Sequence, residues 1–163
     1  MAQVTAAGES VMLGKGYYSR HSQPQRAAAR AADARLVAAA AAIPLPAPPA
    51  PLLIGDLGCA GGANEMAPVA AAIDTLRARD GAVPVEVAHT DLPENDFAPL
   101  FALLAGPDGY PARRTGIYPY VVGRTLYGPL FPDRRLHLGW SAITLHWLSD
   151  CLLYTSPSPR DRG

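Results

Sequence analysis

The residue types able to do chemistry concentrate in residues 52–64. An apolar run, Leu52, Leu53 and Ile54, leads to Asp56, then to Gly58, Gly61 and Gly62, and closes on Asn64. The glycines permit positive φ and close backbone approach. A turn of this kind at the end of a parallel strand can hold a ligand lying flat on backbone. A dinucleotide site spaces its glycines G-x-G-x-x-G so that a pyrophosphate meets a helix N-terminus. The order here is D-x-G-x-A-G-G, and Asp56 ahead of the first glycine would repel a pyrophosphate. It suits a ligand with an amino group and a positive centre, such as S-adenosylmethionine. The same residues also suit an ordinary glycine-rich strand-to-helix turn.

A second acid, Asp91, ends the next strand-like stretch. A carboxylate there can take two ribose hydroxyls in a fork; a plain turn or helix-start acid fits equally well. Cys59 and Cys151 are the two cysteines. They make no disulfide framework, and a reducing cytoplasm is the expected location. His21, His89, His137 and His146 lack metal-ligand spacing and read as four unrelated histidines, so no metal is expected. Fourteen basic and fourteen acidic residues cancel, which leaves no electrostatic footprint for nucleic acid or an anionic membrane. No run has transmembrane length and no signal-peptide layout is visible.

The elements that must position these residues alternate in type. Residues 1–24 have no period and read as a solvated N-terminal arm. Residues 26–42 are alanine-rich and helix-forming, and a proline-rich connection stops them. A strand over 51–56 feeds the glycine turn. A helix over 64–79 follows, with Met66, Val69, Ala70, Ile73 and Leu76 at three- and four-residue steps. A second strand spans 83–90, with Val85, Val87 and His89 alternating against Glu86 and Ala88. A short helix over 96–104 gathers Phe97, Leu100, Phe101 and Leu104 on one face. A third strand at 117–122, a short helical piece at 130–132 and a fourth strand at 135–140 complete the pattern. The alternation gives an α/β fold with a doubly wound, parallel sheet.

Four stretches together resemble one family. They are Tyr18, His21, Ser22 and Gln25 in the arm; Asp56 through Asn64; the string Asp91-Leu92-Pro93-Glu94-Asn95-Asp96-Phe97; and Tyr127 to Pro132 leading into Leu145-His146-Trp147-Leu148-Ser149. Their order and spacing are similar to the SABATH methyltransferases, which use S-adenosylmethionine to methylate salicylate, benzoate, jasmonate and related carboxylic acids, or xanthine nitrogens. The resemblance implies a Rossmann-like class I methyltransferase sheet.

The resemblance also implies roles. Asp56 and Asn64 would hold the methionine end of the cofactor and Asp91 and Leu92 its ribose and adenine, with Gly58 also in the cofactor site. Thr125 and Leu126 stand for the family's Ser-Phe pair; Thr125 keeps the hydroxyl and Leu126 loses the ring. Tyr18 and Ser22 of the arm would close over the cofactor, with His21 replacing a family asparagine. Gln25, His146 and Trp147 would form the substrate side, Gln25 and Trp147 binding the carboxylate. A carboxylic acid is already ionised at neutral pH, so no general base and no catalytic residue is expected. Catalysis would be alignment of one carboxylate oxygen with methyl and sulfur, helped by collapse of opposite charges away from water. A homodimer stays open for a full-length protein.

The resemblance stops after Ser149. Residues 150–163 read as a non-native tail, similar to translated adapter DNA, and residues 1–149 as a partial methyltransferase domain truncated after about the fourth strand. That strand would be an open, apolar edge prone to aggregation. Competing readings are a nitrogen or hydroxyl acceptor, a nicotinamide oxidoreductase, or a remnant that binds only cofactor or a partner.

Overall fold

The computed structural model describes residues 23–142 and 144, with side chains of the first helix described from Ala32 onward. Helix α1 spans Gln23–Ala42, so residues 23–25 are helical rather than part of the arm. Pro24 falls in its first turn, where a missing N–H costs nothing. Strand β1 is Leu52–Leu57, helix α2 Met66–Arg79 and strand β2 Val85–Asp91. Helix α3 is Ala98–Ala105, followed by a 3-10 turn at Tyr110–Arg113. Strand β3 is Ile117–Gly123 and strand β4 Leu138–Trp140.

All pairings are parallel and the strand order is β3-β2-β1-β4. β1 pairs on one side with the strand that follows it and on the other with β4. The chain therefore reverses direction across the sheet beside β1, and ligands of open α/β sheets bind at the carboxyl ends of strands at such a reversal.

Register puts Ile54 level with Val87 and Leu138, and Asp56 level with His89 and Trp140. These residues share one face of the sheet. Val69, Ala72, Ile73 and Leu76 of α2, Leu36 and Ala40 of α1, and Tyr110 cover that face and close the core. Burial of each large aliphatic side chain contributes about 1.5–3 kcal/mol. Arg79 fastens the two helices: its guanidinium donates to the carbonyls of Ala40 and Ile43, both at 2.8 Å. The Ala40 carbonyl is in the last turn of α1 and lacks a partner within the helix, and Ile43 is the first residue beyond it. On the other face Tyr118 and Tyr120 of β3 are exposed.

Four expectations need correction. Helix α2 begins at Met66 rather than 64, because residues 61–65 turn with Gly62 at φ 79°. Residues 130–132 form no helix; Pro129 and Pro132 bracket them. β4 begins at Leu138 rather than 135, because His137 donates its own N–H to the carbonyl of Leu53 while its ring Nδ1 accepts the Leu53 N–H at 3.0 Å. A side chain there takes the place of a strand carbonyl. Phe101 does not join Leu100 on the buried face of α3: it is 55% exposed, whereas Leu100 is fully buried.

Candidate cofactor site

The glycine turn is held by the end of β2. The N–H groups of Gly58 and Cys59 both donate to the Thr90 carbonyl, at 2.8 and 3.0 Å. Gly58 and Gly62 adopt positive φ, as expected of glycine; the third such residue is Ala60, at φ 46°, and not Gly61. Two side chains hold Ala60 in this conformation. Its N–H donates to Asp91 Oδ2 at 2.7 Å, and its carbonyl accepts from Asn95 Nδ2 at 2.9 Å. Asp91 Oδ1 accepts the Leu92 N–H at 2.8 Å. The turn and the D-L-P-E-N-D-F string are thus one hydrogen-bonded unit. The glycines also answer packing: a Cβ on Gly58 would overlap the Thr144 side chain, and one on Gly62 would stand 2.5 Å from Leu100 Cδ1.

Asp56 is 1% exposed. Its Oδ2 lies 2.7 Å from His89 Nδ1, and His89 Nε2 lies 2.9 Å from the Tyr110 hydroxyl. His89 is therefore not an unrelated histidine. It is the middle of a buried acid–imidazole–phenol chain. Burial, the largest influence, holds the Asp56 carboxyl above the usual carboxylate range; the His89 hydrogen bond and charge oppose that rise without cancelling it, and the charge of Asp91 adds to it.

Glu65, which the sequence did not mark, is a third acid in this neighbourhood. It is buried at the N-cap of α2 with no side-chain cap hydrogen bond. Burial first, and the charge of Asp56 second, push its carboxyl up to about 8. Burial and the charges of Asp56, Asp91 and Glu65 raise the Cys59 thiol far above its ordinary range. Cys59 is thus an inert turn residue and no nucleophile. Acidic side chains from β1, β2 and the start of α2 thus surround the turn.

The expected site residues fall as follows. Asp56, Gly58, Asp91 and Leu92 come together around the carboxyl ends of β1 and β2, and Asn64 lies in the turn ahead of α2. Leu92 is 53% exposed there, and Asn64 is half-buried. Thr125 and Leu126 are half-buried beyond the end of β3, tied in by the Arg124 N–H donating to the Asp91 carbonyl at 2.8 Å. Thr125 Oγ1 accepts the Tyr127 N–H at 3.3 Å. Gln25 lies in the first turns of α1, its side chain outside the description. Tyr18, Ser22, His146 and Trp147 lie outside the described residues. A surface hollow of about 350 Å³ borders Leu57, Leu130, Phe131, Arg134 and Leu136; no expected site residue lines it. Among the described residues no group of three or more His, Cys, Asp or Glu could hold a metal ion, and no helix is long and apolar enough to cross a membrane.

Residues 10–155 match a family described as SAM dependent carboxyl methyltransferase. Gibberellic acid methyltransferase 2 of Arabidopsis thaliana is 33% identical over 139 residues, covering 81% of this chain and 36% of that protein. Jasmonate O-methyltransferase of the same plant is 35% identical over 112 residues, covering 59% of this chain and 29% of its own. Among solved structures, a loganic acid methyltransferase with SAH superposes with a TM-score of 0.68 at 26% identity, over 82% of this chain and 38% of that one. The chain spans only about a third of the length of these relatives.

Proposed function

The chain belongs to the SAM-dependent carboxyl methyltransferase family, and we propose that its protein methylates the carboxylate of a small organic acid, using S-adenosylmethionine, in the cytoplasm. The observation that carries this reading is the pair of acids at the ends of adjacent strands, Asp56 and Asp91, beside the glycine turn. Carboxylates are acceptors only, and they match an ammonium, a positive sulfur and ribose hydroxyls.

In this reading Asp56 and Asn64 take the amino-acid end of the cofactor. Asp91 keeps lone pairs beyond those given to Ala60 and Leu92, and these take ribose hydroxyls. Leu92, Thr125 and Leu126 border the adenine, and Tyr18 and Ser22 close over it. Gln25 and Trp147, with His146 beside them, hold the substrate carboxylate. The bound cofactor supplies an activated methyl group. The chain's contribution is to bind, align and dry the reacting pair; alignment alone can supply about 7–11 kcal/mol. An ionised acid needs no base.

The test is transfer of label from methyl-labelled S-adenosylmethionine to a panel of aromatic and aliphatic carboxylic acids. A volatile, base-labile product is expected, the mark of a methyl ester. Label in a base-stable product would assign a nitrogen or hydroxyl acceptor instead.

A further inference from the structure

We propose that His89, backed by Tyr110, is a positioning residue that holds the Asp56 carboxylate as a fixed anion for the positively charged amino-acid end of the cofactor. The inference rests on the proposed cofactor reading. It adds two residues that belong to none of the motifs on which that reading was built.

The chain of contacts is closed at each link. His89 is fully buried and Tyr110 is 1% exposed. An ionised carboxylate only accepts, so His89 Nδ1–H donates to Asp56 Oδ2 at 2.7 Å. Nε2 then accepts the Tyr110 hydroxyl proton at 2.9 Å. This fixes both the tautomer and the ring plane, because a buried phenol needs a partner. Thr90 Oγ1 donates to the Asp56 carbonyl at 3.1 Å and steadies the backbone of the same residue.

One carboxylate oxygen is thus committed to the protein. Oδ2 is the oxygen His89 holds, and Oδ1 is the oxygen this assignment gives to the ligand. Without His89, burial and the charge of Asp91 would both drive the buried Asp56 carboxyl toward its neutral form. A neutral acid would lose its attraction for an ammonium group but would not disturb the adenosine subsite.

The test compares two ligands that share adenosine and a thioether. S-adenosylhomocysteine carries the ammonium end, and 5′-methylthioadenosine does not. Calorimetric affinities are measured for the full chain, His89→Phe, His89→Asn and Tyr110→Phe. His89→Phe is expected to lose about tenfold in affinity for S-adenosylhomocysteine and less than about twofold for methylthioadenosine. His89→Asn, whose amide N–H stands near the place of Nδ1–H, restores most of the loss. Tyr110→Phe keeps the ring packing and is the variant safest for folding; it shows the same selectivity with a smaller change. Equal losses for both ligands, or none, with the unaltered chain binding normally, would overturn the inference alone. Failure of the unaltered chain to bind either ligand would overturn the cofactor reading and the inference together.

Discussion

Asp91 has two tasks that compete for the same oxygens. Both already accept backbone N–H groups, and the proposed ligand adds hydroxyls. Asp91→Asn should therefore loosen the turn and weaken S-adenosylhomocysteine binding by about ten- to a hundredfold, as read by calorimetry; unchanged affinity would remove Asp91 from the site. Glu65 gives a pH prediction. Its folded-state pKa, about 8, lies above its ordinary 4.5, so the folded chain binds this proton more tightly than the unfolded one. The stability it contributes is complete below 4.5 and is lost as pH rises through 8. Glu65→Gln should accordingly raise the melting temperature at alkaline pH and change it little in mild acid. Asp56, Gly58 and Asp91 were legible in the sequence because one motif carries each of them. His89 and Tyr110 were not, since their contact with Asp56 crosses from β1 to β2 and on to the 3-10 turn. A signal was present: His89 shares parity with Val85 and Val87, so a polar ring was already aimed at the core. The register that brings it level with Asp56 was what the sequence lacked. Glu65 was hidden by its place in a turn that reads as the start of a helix.

At the scale of elements, strand ends and helix ends are decided by side chains that substitute for backbone. His137 must be neutral at Nδ1 to accept the Leu53 N–H. Burial and the neighbouring Arg135 lower its pKa below the ordinary 6.5. A depressed pKa contributes stability above the unfolded value that is lost as pH falls through the folded one. The β1–β4 pairing should therefore weaken on acidification below about pH 6.5, seen as a lower hydrogen-exchange protection factor at the Leu53 amide. His137→Phe should show low protection there at every pH. A protection factor at Leu53 that ignores both pH and this substitution would contradict the role given to the ring. In the turn, Gly58→Ala should cost about 1–3 kcal/mol, since φ is 88° and Thr144 occupies the Cβ position; a denaturant titration measures it. Periodicity located most elements to within a few residues. It failed at 130–132 and at the start of β4, where proline geometry and a single histidine ring, rather than hydrophobic pattern, set the boundary.

For the whole molecule, alternation of strands and helices was enough to expect a parallel sheet. The order β3-β2-β1-β4 lay beyond it, because composition and period say nothing about which strands are neighbours. That order puts the glycine turn at the reversal point, and the acids of two adjacent strands meet there. Among the described residues β4 pairs with β1. The central claim is that these strand ends assemble a site for the adenosyl cofactor. The most direct test is a thermal melt of the chain with and without S-adenosylhomocysteine at a hundred times its dissociation constant. Binding at that excess adds about 2.7 kcal/mol, which for a chain of 163 residues should raise the midpoint by about 5–10 °C. A cooperative melt whose midpoint does not move would contradict the assignment of Asp56, Asn64 and Asp91 as cofactor ligands.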